Sequence, residues 1–304
     1  MNYAANRNLH RFAVFTACCT FLLIIAGALV TSNQAALSIP TWPLANGSAF
    51  PPMVGGIKWE WSHRLIAGSV SIFTLILAIW AQFCEPRRWV RNLAWGAVGL
   101  IIAQALLGAV TVKLLLPPPV SSAHATLAEL FFITVLSLAV FTGKWWTGEV
   151  PQLQDEESPK LRTLAICTSF LILVQIVLGA AFRHNAFGII PHLVGAVAVT
   201  FMVFWTVLAA ATRFRKVKGI RAAARYLEIA LGIQILLGGA AYWAVLAARN
   251  AVQPTPIYVS LTVAHVAVGA LTFAASVFLA LRCVRMLKPA AAPAALESPR
   301  ERVV

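Results

Sequence analysis

Long apolar runs separated by short polar segments dominate the chain. Each run has about 20 residues, the length that a helix needs to cross a hydrocarbon core of about 30 Å. The runs do not alternate in the way of membrane-barrel strands, so the pattern predicts helices. The eight predicted spans are Phe12–Val30, Leu65–Phe83, Leu93–Val112, Ala123–Phe141, Leu164–Phe182, Gly188–Ala211, Tyr226–Ala248 and Ile257–Leu281.

The composition agrees with a membrane protein. Of the 304 residues, 60% are hydrophobic and only 11% are charged, whereas a soluble domain has about 25% charged residues. This balance excludes a soluble globular enzyme, a disordered chain and a nucleic-acid-binding domain. The predicted fold class is therefore all-α: a polytopic membrane protein with eight transmembrane helices.

The positive charge predicts how the helices are oriented. The net charge of +14 lies in short clusters between the apolar runs, and such clusters mark the cytoplasmic side of a membrane protein. With both termini in the cytoplasm, 19 of the 24 Lys and Arg residues fall on that side. We therefore predict a bacterial inner-membrane protein that is surrounded by lipid and has no nucleic-acid partner.

An acidic stretch, Asp155–Glu157, lies in the longest predicted cytoplasmic loop. It indicates a linker between two pseudo-repeated four-helix bundles. The predicted organisation is an N-terminal half (1–145), a linker (146–162), a C-terminal half (163–288) and a disordered Ala/Pro-rich tail (289–304).

A repeated motif supports the two halves. A glutamine four residues before a glycine precedes three of the predicted outer loops, and Ile24–Gly27 is a weaker counterpart. The three copies are Gln104/Gly108, Gln175/Gly179 and Gln234/Gly238, and the helices after the four loops carry His63, His124, His192 and His265 near their starts. Helix packing is sufficient to explain the glycines. Four histidines at one membrane depth favour a functional interpretation, because ionisable groups are costly there.

Four imidazoles at one depth suit two bis-histidine haem sites. Helical bundles build such sites from facing helices, which pairs His63 with His124 and His192 with His265. His184 is an alternative to His192 as a ligand. A non-haem metal site would normally also need carboxylates, and only the first half offers one nearby.

That carboxylate is Glu60, one turn before His63 and on the same helix face. It could be a general base, a proton relay or only a hydrogen-bond partner of Arg64. Arg64 itself could pair with a haem propionate or extend to the membrane interface. No glutamate precedes His192 or His265 in this way, so we predict chemistry in the first half and an electron-transfer cofactor in the second.

With these motifs, the sequence resembles the haem A synthase family of cytochrome oxidase assembly proteins over about residues 8–285. The resemblance rests on Glu60-x-x-His63-Arg64, on Gln104–Gly108 with His124, on Leu178–His184 with His192, and on Gln234-x-x-x-Gly238 with His265. Trp42-Pro43 also resembles a pair in the family's first outer loop. Many members carry cysteines in that loop, but this sequence has none there, so it is similar to the members that lack them.

The resemblance implies an enzyme that oxidises the C8 methyl group of haem O to a formyl group, giving haem A. It implies that His63 and His124 hold haem O, that Glu60 is catalytic, and that His192 and His265 hold haem b. Arg64, Arg183 and His184 would support the haem propionates or the site. The implied partners are the haem farnesyltransferase and an electron donor or acceptor, and a homo-oligomer is compatible with the sequence.

Two other functions remain open from the sequence. One is a quinol-linked di-haem b electron carrier, which would depend little on Glu60. The other is a haem-handling assembly protein without catalysis.

Overall fold

The computed structural model describes residues 6–288, which are almost entirely helical. Nine helices are present in this part of the chain. They are α1 (Arg7–Ser32), α2 (Ile57–Cys84), α3 (Arg88–Lys113), α4 (Pro118–Thr142), α5 (Lys144–Thr147), α6 (Leu161–Arg183), α7 (Ile190–Arg213), α8 (Lys218–Ala247) and α9 (Pro256–Met286).

The eight predicted spans are confirmed, since every long helix has the length and hydropathy to cross a membrane. Most helices are longer than their apolar runs. The largest difference at the helix ends that carry the histidines is in α2, which begins at Ile57 rather than at Leu65, because the polar turn Glu60–Arg64 continues the helix. Large apolar side chains such as Leu22, Phe201 and Leu236 are exposed along the spans, as expected for surfaces that face lipid.

Two buried apolar clusters form the core. One is built from α1–α4 around Leu77, Phe131 and Leu138, and the other is built mainly from α6–α9 around Leu227 and Leu279. A small third cluster joins the two sets of helices. It contains Ile24 of α1, Phe132 of α4 and Ala270 of α9.

The predicted linker packs against the helix bundle. The short helix α5, which the sequence did not predict, follows α4 at the start of this region. The carboxylate of Asp155 is buried and accepts a short hydrogen bond from the backbone N–H of Leu161 at the start of α6. Leu153 pairs through its backbone with Met286 and Lys288. The predicted tail, 289–304, lies outside the described residues.

Three turns at the end of the bundle that carries the histidines share one backbone conformation. Gln34, Leu115 and Asn185 follow α1, α3 and α6 with φ of 53°, 59° and 61°. A left-handed residue after the last turn is a common way to end a helix. Each turn is followed by a segment that contains one of the candidate histidines. The three helical hairpins therefore begin their connections in the same way.

Candidate haem site

Each of the four predicted histidines packs against the glycine of the preceding long helix. A Cβ atom placed on Gly27 would lie 3.2 Å from Cε1 of His63. On Gly108 and Gly238 it would lie 3.1 Å from Cε1 of His124 and His265, and on Gly179 only 2.8 Å from Cε1 of His192. The glycines therefore provide the space that the imidazole rings occupy. From the sequence, helix packing alone had been sufficient to explain these glycines.

The glutamines of the motif, which lie one helical turn before the glycines, contact three of the same histidines. Nε2 of Gln104 donates to the backbone oxygen of His124 at 2.9 Å. Nε2 of Gln175 donates to the backbone oxygen of His192 at 2.8 Å and lies 3.0 Å from its Nδ1. Gln234 lies 3.5 Å from Nε2 of His265. In the first helix Leu23 occupies this position, so His63 has no equivalent amide contact.

The histidines of each half lie near one another. The ring centroids of His192 and His265 are 6.3 Å apart with planes at 87°. His63 and His124 are close enough to interact electrostatically.

His184 follows the last residue of α6 and lies near His124. Burial, together with the nearby Arg183 and His124, lowers the pKa of His184 to about 4, so its ring is neutral at neutral pH.

Glu60 and Arg64 fasten the first outer loop over the start of α2. Oε1 of Glu60 accepts from the Arg64 guanidinium at 2.6 Å, and Oε2 accepts from the backbone N–H of Ile39 at 2.8 Å. The guanidinium also donates to the backbone oxygens of Ile39 and Thr41, at 2.9 and 2.7 Å. Glu60 is only 4% exposed. The sequence suggested a pair between Glu60 and Arg64 but gave no sign of the contacts with the loop.

Arg183 connects the two sets of helices. Its guanidinium donates to the backbone oxygen of Ala28 at 3.0 Å and to Oγ of Ser32 at 2.8 Å, both on α1. Ser32 in turn shares a hydrogen bond of 2.8 Å with the hydroxyl of Thr262 on α9. Arg183 therefore lies at the junction of α1, α6 and α9, beside the second histidine pair.

Sequence reasoning missed Glu129. It lies in α4, five residues after His124, and it is 6% exposed with one carboxyl oxygen that has no hydrogen-bond partner. The signal was available, because a single acidic residue inside an apolar span is costly and calls for a functional explanation.

The residues present fit an iron porphyrin. Nδ1 of His63, His124 and His265 is buried without a hydrogen-bond partner and faces the glycine of the preceding helix, so Nε2 is the ring nitrogen of each that could bind iron. The separation of His192 and His265 leaves room for a metal ion bonded to one nitrogen of each ring, since imidazole–metal bonds are about 2 Å long. Within residues 6–288 no three His, Cys, Asp or Glu side chains are grouped to hold a metal ion.

Part of the chain matches a known protein family. Residues 55–191, which are 137 of the 304 residues, match the family described as cytochrome oxidase assembly protein. The segment includes Glu60, His63, His124 and His184 and ends one residue before His192, so the second histidine pair is supported by its geometry.

Similar proteins are named haem A synthases. The chain is 33% identical to the haem A synthase of Bacillus licheniformis over 137 residues, which cover 44% of this chain and 45% of that protein. It is 32% identical to that of Lysinibacillus sphaericus over 187 residues (59% of each) and 36% identical to that of Alkalihalophilus pseudofirmus over 138 residues (44% of each). The chain thus spans about half the length of the curated relatives it matches.

Proposed function

We propose that this protein is a haem A synthase of a bacterial membrane, with both termini in the cytoplasm, that oxidises the C8 methyl group of haem O to a formyl group. The observation that carries the proposal is the asymmetry between two similar histidine pairs. Both pairs are set against glycines on the preceding helices, but only His63 has a buried carboxylate, Glu60, one turn away. The names of the similar proteins point to the same activity.

In this proposal the two pairs have different tasks. His63 and His124 hold the substrate haem O, and His192 and His265 hold haem b. When bound, haem b supplies one-electron oxidation and reduction. The side chains of Gln175 and Gln234 position the second pair, and Arg183 and His184 lie between the pairs, where they can support propionates of either haem.

A proton acceptor is required when water supplies the oxygen, because conversion of a methyl group to a formyl group then releases four protons and four electrons. With dioxygen as the source, each of two hydroxylations instead takes up two protons and two electrons and releases water, so the residue near the methyl group would have to deliver protons. Glu60 can serve as this group because it is only 4% exposed and its carboxylate is held in one position by Arg64 and by the N–H of Ile39. Fixed charges in such sites act more strongly than in water.

Glu60 also has a structural task that a test must separate from proton transfer. Its two oxygens hold the outer loop through Arg64 and Ile39. Glu60→Gln retains an oxygen that can accept one of these hydrogen bonds but removes the negative charge and most of the basicity. Glu60→Ala removes both the loop contacts and the proton acceptor.

The experiment is expression in a bacterial membrane together with a source of haem O. Extracted haems are then separated by chromatography and identified by mass. We expect haem A from the wild type. Glu60→Gln should retain bound haem O, or a hydroxylated intermediate, without forming haem A, and Glu60→Ala should in addition bind less haem O. Haem A formation by Glu60→Gln at the wild-type rate would refute the catalytic role, and haem b alone in the wild type would favour the electron-carrier function.

A further inference from the structure

A cavity opens at the opposite end of the bundle from the histidines. It lies between α1, the end of α4, α5 and the end of α9, and its volume is about 800 Å³. Arg11, which lines it, is 16 residues from Gly27 on the same helix, or about 24 Å along the axis. The cavity is therefore separate from both histidine pairs, and the inference below does not depend on the proposed function.

The polar part of the cavity is strongly basic. Its lining includes Arg7, Arg11, Lys144 and Arg282, and no Asp or Glu is among the described residues that line it. None of the ion pairs found within residues 6–288 uses any of these four side chains. The cavity therefore concentrates positive charge at the end of the bundle, where an anionic group would be stabilised.

Arg282 is the best-positioned of these cations. Its guanidinium lies 4.3 Å from the ring centroid of Trp145 and 4.8 Å from that of Phe278. Its Nε is buried and has no hydrogen-bond partner. Two aromatic rings thus hold the guanidinium in place, and its terminal N–H groups, rather than the buried Nε, are the donors that an acceptor in the cavity can reach.

The rest of the lining is apolar. Val14, Leu136 and Val140 form a wall beside the basic rim, and Val14 is 41% exposed. A free inorganic anion would contact the rim and leave this wall bare. A molecule with an anionic head and an apolar tail would cover both.

We infer that this cavity binds one anionic phospholipid. Its phosphodiester contacts Arg282, Arg11 and Lys144, and one acyl chain lies along the wall formed by Val14, Leu136 and Val140. The position at the ends of membrane-spanning helices agrees with this, because basic pockets between such helices are typical binding sites for anionic headgroups. The volume lies in the usual range for sites of small ligands.

The test uses the full chain, delipidated in detergent, and native mass spectrometry. Phosphatidylglycerol and phosphatidylcholine with the same acyl chains are titrated separately, and the affinity for the first bound lipid is measured. The site variant is Arg11→Gln/Lys144→Gln, in which both altered side chains are exposed and outside the core. The matched control is Arg215→Gln/Lys216→Gln, which removes the same charge from exposed residues at the same end but outside the cavity.

We expect the wild type to bind phosphatidylglycerol at least about tenfold more tightly than phosphatidylcholine. A basic residue near an anionic headgroup contributes about fivefold, so the site variant should lose roughly 25-fold and the control less than twofold. Inorganic phosphate at about 10 mM should leave lipid binding within twofold of its value without phosphate. Equal binding of the two lipids, equal losses in the two variants, or displacement of the lipid by phosphate would each overturn the inference.

Discussion

Replacing Gly179 by alanine tests whether the glycines exist to accommodate the histidines. The new Cβ would lie 2.8 Å from Cε1 and 3.2 Å from Nδ1 of His192, whereas ordinary contact begins at 3.4 Å. The ring must therefore move by at least about 0.6 Å. The ring cannot move easily, because Gln175 contacts both Nδ1 and the backbone oxygen of His192.

Forcing one extra methyl group into a packed site costs about 1–3 kcal/mol. If this free energy must be spent to keep His192 in the position that binds haem, haem should bind to the second pair about 5- to 150-fold more weakly. The assay is optical titration of haem into protein purified from haem-deficient cells. The stoichiometry at low haem concentration should fall from about two haems per chain to about one.

Helix α8 supplies a matched pair of variants for the same assay. Gly238→Ala places its Cβ 3.1 Å from Cε1 of His265, whereas Gly232→Ala meets nothing within 4 Å. We expect a smaller loss for Gly238→Ala than for Gly179→Ala, and none for Gly232→Ala. Wild-type haem binding by Gly179→Ala, or an equal loss in Gly232→Ala, would refute the reasoning.

Three further predictions concern charged groups outside the two histidine pairs. Arg183→Leu should lower the free energy of unfolding in detergent by about 2–3 kcal/mol, because it removes charged hydrogen bonds to α1, including the one to Ser32. An unchanged melting temperature would contradict this. Glu129→Leu should leave thermal stability unchanged or raise it, because it removes a buried carboxyl oxygen without a partner; loss of haem A formation in a stable variant would instead reveal a functional role. Burial acts to raise the pKa of Glu85, but hydrogen bonds from Arg87 outweigh it and lower that pKa. This pair should therefore stabilise the protein above about pH 4.3, the pKa of Glu in the unfolded chain. The stabilisation should be lost as the pH falls through the lower pKa of Glu85 in the folded protein. The free energy of unfolding of Arg87→Met, measured against pH, should lack this acid-dependent contribution.

The sequence was sufficient to predict the parts of this structure that repeat. Span length and hydropathy identified all eight long helices, because a membrane requires about 20 apolar residues in each. The repeated motif predicted that His192 and His265 act as a pair, and their ring centroids lie 6.3 Å apart. In each of the four hairpins the histidine packs against the glycine of the preceding long helix, so the repeated motif was enough to align the four histidines.

What the sequence could not predict are contacts that occur once, between elements distant in the chain. The loop residue Ile39 binds Glu60 from 21 positions away, and Arg183 binds α1 from 155 positions away. No periodicity encodes such contacts, since they depend on how irregular loops and helix ends meet. These unrepeated contacts are also what makes the two histidine pairs different. A carboxylate and a fastened loop lie beside His63 and have no counterpart beside His192, so two sites built on one helical pattern can bind similar groups and still perform different chemistry.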